Sequence, residues 1–304
     1  MAIMTTQGVA ESQRPADSAE LHHPYRVTIQ SGSTRAARQQ ALYCIPGAGA
    51  NVCSFSSLAQ ALPSHLTVHG LQPRGLCGHL IPHSDIPSAA RAYIKAVRES
   101  SPRGPYHLLG HSFGGWVAYE MALQLAAEGE EVPTLVLLDT TPPDDDATRG
   151  RGFHSRVEVL MELISLFEMS VEHPLGVVRS DLETKSQKEQ LRILMSAVVT
   201  AGLLPAQAPI KVLEGIVRVF EVNANTRYQP GGRFHGVLHA VVIPDSKTDI
   251  EHGRELLRAR WHKFAVEPRI WYATGNHMTM LRDPHARSIA AIVGACLRDS
   301  ATSR

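Results

Sequence analysis

The chain has 304 residues, 43% of them hydrophobic and 19% charged, a globular balance that argues against disorder. Thirty Lys and Arg against 29 Asp and Glu give a formal charge of +1, which excludes a strong electrostatic case for nucleic acid or an anionic membrane as the main partner. No apolar run approaches the ~18 residues a membrane helix needs. Residues 1–24 read as a polar, flexible lead-in without the pattern of a signal peptide. Cys44, Cys53, Cys77 and Cys296 form no CxxC, so free thiols in a reducing cytoplasm are expected, and with them a soluble, cytoplasmic protein.

In chain order, Ala41–Ile45 predicts a strand that ends at Pro46-Gly47. Phe55, Leu58, Ala59 and Leu62 fall at helical spacing, and Leu66–Leu71 predicts a second strand. Ala89, Ala90, Tyr93, Ile94 and Val97 mark an amphipathic helix with Pro87 near its start. Tyr106–Leu109 predicts a strand, Gly114–Glu128 a helix closed by Gly129, and Thr134–Leu138 a strand followed at once by Asp139. Alternating strands and helices predict a parallel sheet covered on both faces. The pattern then breaks, and residues 147–232 read as helical, with apolar stripes such as Leu160-Ile164-Phe167 and Leu194-Val198. Sheet signals resume with Gly236–Ile243. A helix near Gly253–Lys263, a short strand over Arg269–Tyr272 and a last helix over Pro284–Leu297 follow. The expected organisation is an α/β core, residues 25–146 and 233–304, interrupted by a helical insertion.

Gly110-His111-Ser112-Phe113-Gly114 matches G-x-S-x-G, and a strand runs into it while a long helix leaves it. That is the setting of a nucleophile elbow, whose sharp turn exposes the Ser112 hydroxyl at the carboxyl edge of the sheet. Gly110 and Gly114 remove the side chains that would collide across such a turn. A serine hydroxyl needs an adjacent base, and the base needs an orienting carboxylate. The order Ser, acid, His is available: Asp139 follows the next strand, and His277 lies in Gly275-Asn276-His277-Met278 after the last.

Together these residues resemble the thioesterase domains of polyketide synthases and nonribosomal peptide synthetases, within the α/β-hydrolase family. The matching segments are CIPGAGA at 44–50, HGLQPRGLCG at 69–78, GPYHLLGHSFGGWVAYEMALQL at 104–125, TLVLLDTTPP at 134–143 and GNHMTML at 275–281. The resemblance implies an α/β-hydrolase fold, with a mostly parallel sheet and residues 147–232 as a helical lid. It implies Ser112 as nucleophile, His277 as general base and acid, and Asp139 as orienting carboxylate. It places the oxyanion hole at the backbone N–H groups of Ala48 and Phe113. The implied substrate is an acyl or peptidyl chain on the phosphopantetheine of a carrier protein, with the carrier as partner and no cofactor bound by the chain itself.

Alternatives stay open at this level. Some relatives carry the acid after the next core strand, which makes Asp245 the alternative to Asp139. Release by hydrolysis and by macrocyclisation use the same triad. A general carboxylesterase or lipase would share the scaffold, and so would a non-catalytic carrier-docking module. His111, beside the nucleophile, is expected to be structural. Sixteen histidines suggest no metal, since His79, His83, His235 and His239 fall into no four-ligand spacing. Arg149, Arg151 and Arg156, near the start of the lid, could face an acidic carrier.

Overall fold

The structure, a computed structural model, describes residues 25–32, 41–144, 152–244 and 250–302. Seven strands form one sheet: β1 (Arg26–Gln30), β2 (Leu42–Ile45), β3 (Val68–Leu71), β4 (His107–His111), β5 (Thr134–Leu138), β6 (Phe234–Val242) and β7 (Ala265–Tyr272). Their order is β1-β3-β2-β4-β5-β6-β7, with β1 antiparallel to β3 and every other pairing parallel. Side chains alternate across a strand, and the central strands are apolar on both faces. Along β2, Tyr43 and Ile45 join one buried cluster, while Leu42 and Cys44 join the other. Leu135 and Leu137 of β5 likewise oppose Val136 and Leu138.

Helices cover both faces. α1 (Ser56–Ala61), which continues a 3₁₀ turn at Val52–Phe55, packs on one side with α9 (Ala286–Thr302). α2 (Ile86–Arg98) and α3 (Phe113–Ala127) pack together on the other. Asp85 fixes the start of α2 by accepting from the Ser88 N–H at 2.7 Å. α8 (Ile250–Trp261) precedes β7 and buries Trp261 completely. Between β5 and β6 stand α4 (Arg156–Val171), α5 (Ser180–Glu183), α6 (Gln187–Thr200) and α7 (Ile210–Asn225). These helices enclose a third apolar cluster of their own, built around Leu160, Ile164, Leu194, Val198, Leu213 and Val217. A capping box between Ser186 and Glu189 starts α6.

Three elements differ from the sequence reading. β1 lies ahead of the first expected strand, and its residues are only half-buried at the sheet edge, so the apolar signal there is weak. β7 begins at Ala265 rather than Arg269. As the other edge strand it exposes Val266 and Glu267 and tolerates Pro268, which together read as loop. The short α5 carries one buried residue, Leu182, too little for periodicity to detect. The lead-in at 1–24 lies outside the described residues.

Candidate active site

The strand order reverses between β2 and β4. β3 lies on one side of β2 and β4 on the other, so the loops leaving the carboxyl ends of β2 and β4 part in opposite directions. A crevice forms at such a point, and the expected residues gather there.

Ser112 joins β4 to α3 with φ 54° and ψ −124°, a sparsely populated conformation for a residue with a side chain. The turn is held from both sides. The Ser112 N–H donates to Leu138 O at 2.8 Å, and Thr140 Oγ1 donates to Ser112 O at 3.0 Å. A Cβ on Gly110 would strike Gly114 O, and one on Gly115 would strike Thr140 Oγ1. The glycines therefore let strand, turn and helix approach at backbone distance. Thr140 is a positioning residue that sequence reasoning missed.

Asp139 follows β5 with φ 45°, and its N–H donates to Val241 O at 2.7 Å. Its Oδ2 accepts from His277 Nδ1 at 2.6 Å. Burial pushes the Asp139 carboxyl up, but the hydrogen bond from His277 and the neighbouring imidazoles outweigh it and hold the carboxyl below its ordinary range. With Nδ1 engaged, His277 has Nε2 left for the cavity. Ser112, Asp139 and His277 all line one cavity of about 950 Å³. Asp245 lies outside the described residues.

Ala48 and Phe113 line the same cavity. Phe113 is the first residue of α3, where a helix N–H has no intrahelical acceptor. Ala48 follows β2 and packs against the apolar cluster of the lid helices. Leu163, Leu166 and Phe167 of α4, with Val198, Ile216 and Phe220, give the cavity a greasy wall.

His111 lines the same cavity and bonds to the His277 loop. Its Nε2 donates to His277 O at 2.9 Å, and its ring lies 4.9 Å from that of His277. Burial, and then the neighbouring His277, lower its pKa to about 4, so it stays neutral. Asn276 has a role that the motif alone does not reveal. Its Oδ1 accepts from the N–H groups of Met278 and Thr279 at 2.8 and 2.9 Å and folds the turn around His277. An Asn ahead of a turn is a readable signal for that bond pattern. The four cysteines are free; Cys44 and Cys296 are buried, and Cys53 sits at the cavity. Among the described residues, no three His, Cys, Asp or Glu side chains group to hold a metal. Nor is any helix among them long and apolar enough to cross a membrane. Arg149 and Arg151 lie outside the described residues, and Arg156 stands 3.8 Å from Glu221.

Residues 40–296 match the family model of the thioesterase domain. The chain belongs to that family. It is 38% identical over 267 residues to vanchrobactin synthetase VabF of Vibrio anguillarum, covering 88% of this chain and 8% of that protein. It is 25% identical to chondramide synthase cmdD of Chondromyces crocatus, covering 82% of this chain and 6% of that one. The chain thus spans less than a tenth of either relative. Among solved structures it resembles the type II thioesterase BorB from the borrelidin biosynthetic cluster, with a TM-score of 0.64 and 19% identity. That likeness covers 90% of this chain and 98% of the other, and it shows the shared α/β-hydrolase fold. This thioesterase domain therefore combines a serine elbow, an Asp–His pair and a cavity walled in part by α4, α6 and α7 at one sheet edge.

Proposed function

We propose that this thioesterase domain releases an acyl or peptidyl chain from the phosphopantetheine of a carrier protein through an acyl-serine intermediate. Ser112 is the nucleophile, His277 the base and acid, and Asp139 the orienting carboxylate. The single observation that carries the reading is the 2.6 Å bond from His277 Nδ1 to Asp139 Oδ2 beside Ser112 in one cavity. With Nδ1 engaged there, Nε2 is the imidazole nitrogen left to serve Ser112.

His277 Nε2 takes the proton of Ser112 as Oγ attacks the thioester carbon. The N–H groups of Ala48 and Phe113 hold the oxyanion, and one such donor is typically worth ~3 kcal/mol of barrier. The carbon–sulfur bond breaks, and His277 returns the proton to the departing thiolate sulfur. The acyl-serine then meets water, or a hydroxyl or amine of its own chain. That nucleophile gives its proton to His277, the acyl–oxygen bond breaks, and Ser112 Oγ recovers a proton. Water yields an acid, and an internal nucleophile yields a ring. The triad has no need of a bound metal or cofactor, since the pantetheine arm comes with the substrate. The carrier protein is the partner, and Arg149, Arg151 and Arg156 are offered as its basic contacts. The free cysteines support a reducing, cytoplasmic setting.

Intact-protein mass spectrometry with an acyl-pantetheine thioester tests this. An acyl adduct or turnover is expected in the wild type and should vanish in Ser112→Ala. Turnover retained in that variant would overturn the reading. The product mass separates hydrolysis, one water heavier, from ring closure.

A further inference from the structure

Helix α4 leaves its helical path at Glu172, whose φ is 60°. The last carbonyls of a helix have no partner within it. Two of them, Met169 O and Ser170 O, are met here by side chains from the segment that bears His277. Asn276 Nδ2 donates to Met169 O at 3.1 Å. Arg282 Nη1 donates to Ser170 O at 2.8 Å, and its Nη2 donates to Ser170 Oγ at 2.6 Å. The guanidinium also sits at the negative end of the helix dipole.

Both partners are built for the task. Ser170 is buried, so its carbonyl and hydroxyl have little access to water and need a protein donor. Asn276 holds the His277 turn with its carbonyl oxygen and reaches the lid with its amide nitrogen. One turn back along α4, Leu166 and Phe167 line the cavity, and Leu163 lines it a turn further. One helix therefore forms a wall of the acyl cavity and an anchor for the loop of the base.

We propose that Arg282 and Asn276 are positioning residues that fix the His277 loop to the C-terminal end of α4, so that the imidazole is in place only while this lid helix is docked. The proposal rests on the reading of His277 as the base. It makes the lid a part of the catalytic geometry for every substrate, including one too short to touch the lid.

The test compares acetyl-pantetheine, whose two-carbon acyl group does not fill the apolar cavity, with dodecanoyl-pantetheine, on the plateau of the pH profile. Arg282→Met should lower kcat for both by the same factor, about 10-fold, and leave KM within about twofold, as a slightly misplaced base would. Arg282→Lys keeps a cationic donor and should recover most of the loss. Asn276→Asp keeps the oxygen that folds the turn but loses the donor to Met169, and it should reduce kcat for both substrates alike. Thermal melting accompanies each variant. Should Arg282→Met fail to fold, Arg282→Lys and Asn276→Asp decide the matter. A loss confined to the dodecanoyl thioester and to its KM would make Arg282 a mere wall of the cavity and overturn the proposal. So would unchanged kcat in Arg282→Met and Asn276→Asp. Ser112→Ala runs alongside. If it keeps turnover, the acyl-serine reading itself falls. If it loses turnover while the Arg282 and Asn276 variants do not, only the positioning role falls.

Discussion

The carboxyl edge of the sheet and the lid above it are held by different means. At the edge, Ser112 and Asp139 sit on sharp turns with positive φ, pinned by backbone bonds to neighbouring strands. The lid has no strand to lean on. Its four helices pack around their own apolar cluster and meet the core in polar bonds that include Tyr228 donating to Glu120 at 2.7 Å and Arg282 donating to Ser170 O at 2.8 Å. Ser112 and Asp139 are therefore held by backbone, whereas much of the cavity wall comes from side chains of α4, α6 and α7.

The largest effect that would sharpen this contrast lies at the edge. Asp139→Asn replaces the acceptor-only carboxylate with an amide that can donate to Nδ1 and select the wrong tautomer of His277, and kcat should fall about 10⁴-fold with little change in melting temperature. Asp245→Ala should stay within about twofold of wild type; the opposite pattern would move the acid to Asp245. Next comes Gly115→Val, whose new side chain would collide with Thr140 at the elbow. Overpacking of this kind should cost about 3 kcal/mol in chemical denaturation, spread over the whole core. In the lid, Leu194→Ala should cost about as much locally, in the range of 2–5 kcal/mol for a buried leucine. Its signature is different, however: faster amide exchange should be confined to α4, α6 and α7, with β4 and β5 still protected. Exchange that rose equally in β4 and β5 would break the contrast.

The smallest effect is a pH dependence of the core. Burial lowers the pKa of His111 and of His239 to about 4. The unfolded chain takes up protons near pH 6.5, well before the folded one does. Stability from these neutral imidazoles is complete above 6.5 and is lost as the pH falls toward 4, by about 1 kcal/mol per pH unit for each group. Urea denaturation at pH 7 and pH 5 should show the loss, and His239→Gln should reduce it.

Much of the edge was legible in the sequence because its signals are local. Ser112 lies between a strand and a helix that periodicity reveals, and Asp139 and His277 follow strands that hydropathy marks. The apolar alternation of β2 and β5 is strong because both faces are buried. The edge strand β1 and the first half of β7 escaped because half-exposed strands carry half the pattern. The bonds from Arg282 to Ser170 and from Asn276 to Met169 escaped for another reason. They join residues more than a hundred positions apart, and no local rule links a helix end to a loop it meets only in the folded state. Which lid residues face the cavity was equally out of reach, since Phe167 and Leu160 share one stripe but only Phe167 lines it.

Strands β5 and β6 are parallel neighbours, with Leu135 beside Leu238 and Leu138 beside Val241. A parallel pair always needs a crossover, and about a dozen residues can make one. Here the crossover is everything from Asp139 to Arg233, lid included. The pairing of the two strands asks only that the chain go out and come back; it sets no length for the excursion. Lengthening a loop costs entropy only logarithmically. Helices could thus be added, removed or exchanged between these two points while the sheet, the elbow and the acid stayed in register. The length of the excursion is thus free to vary, whereas the register that places the elbow and the acid is not.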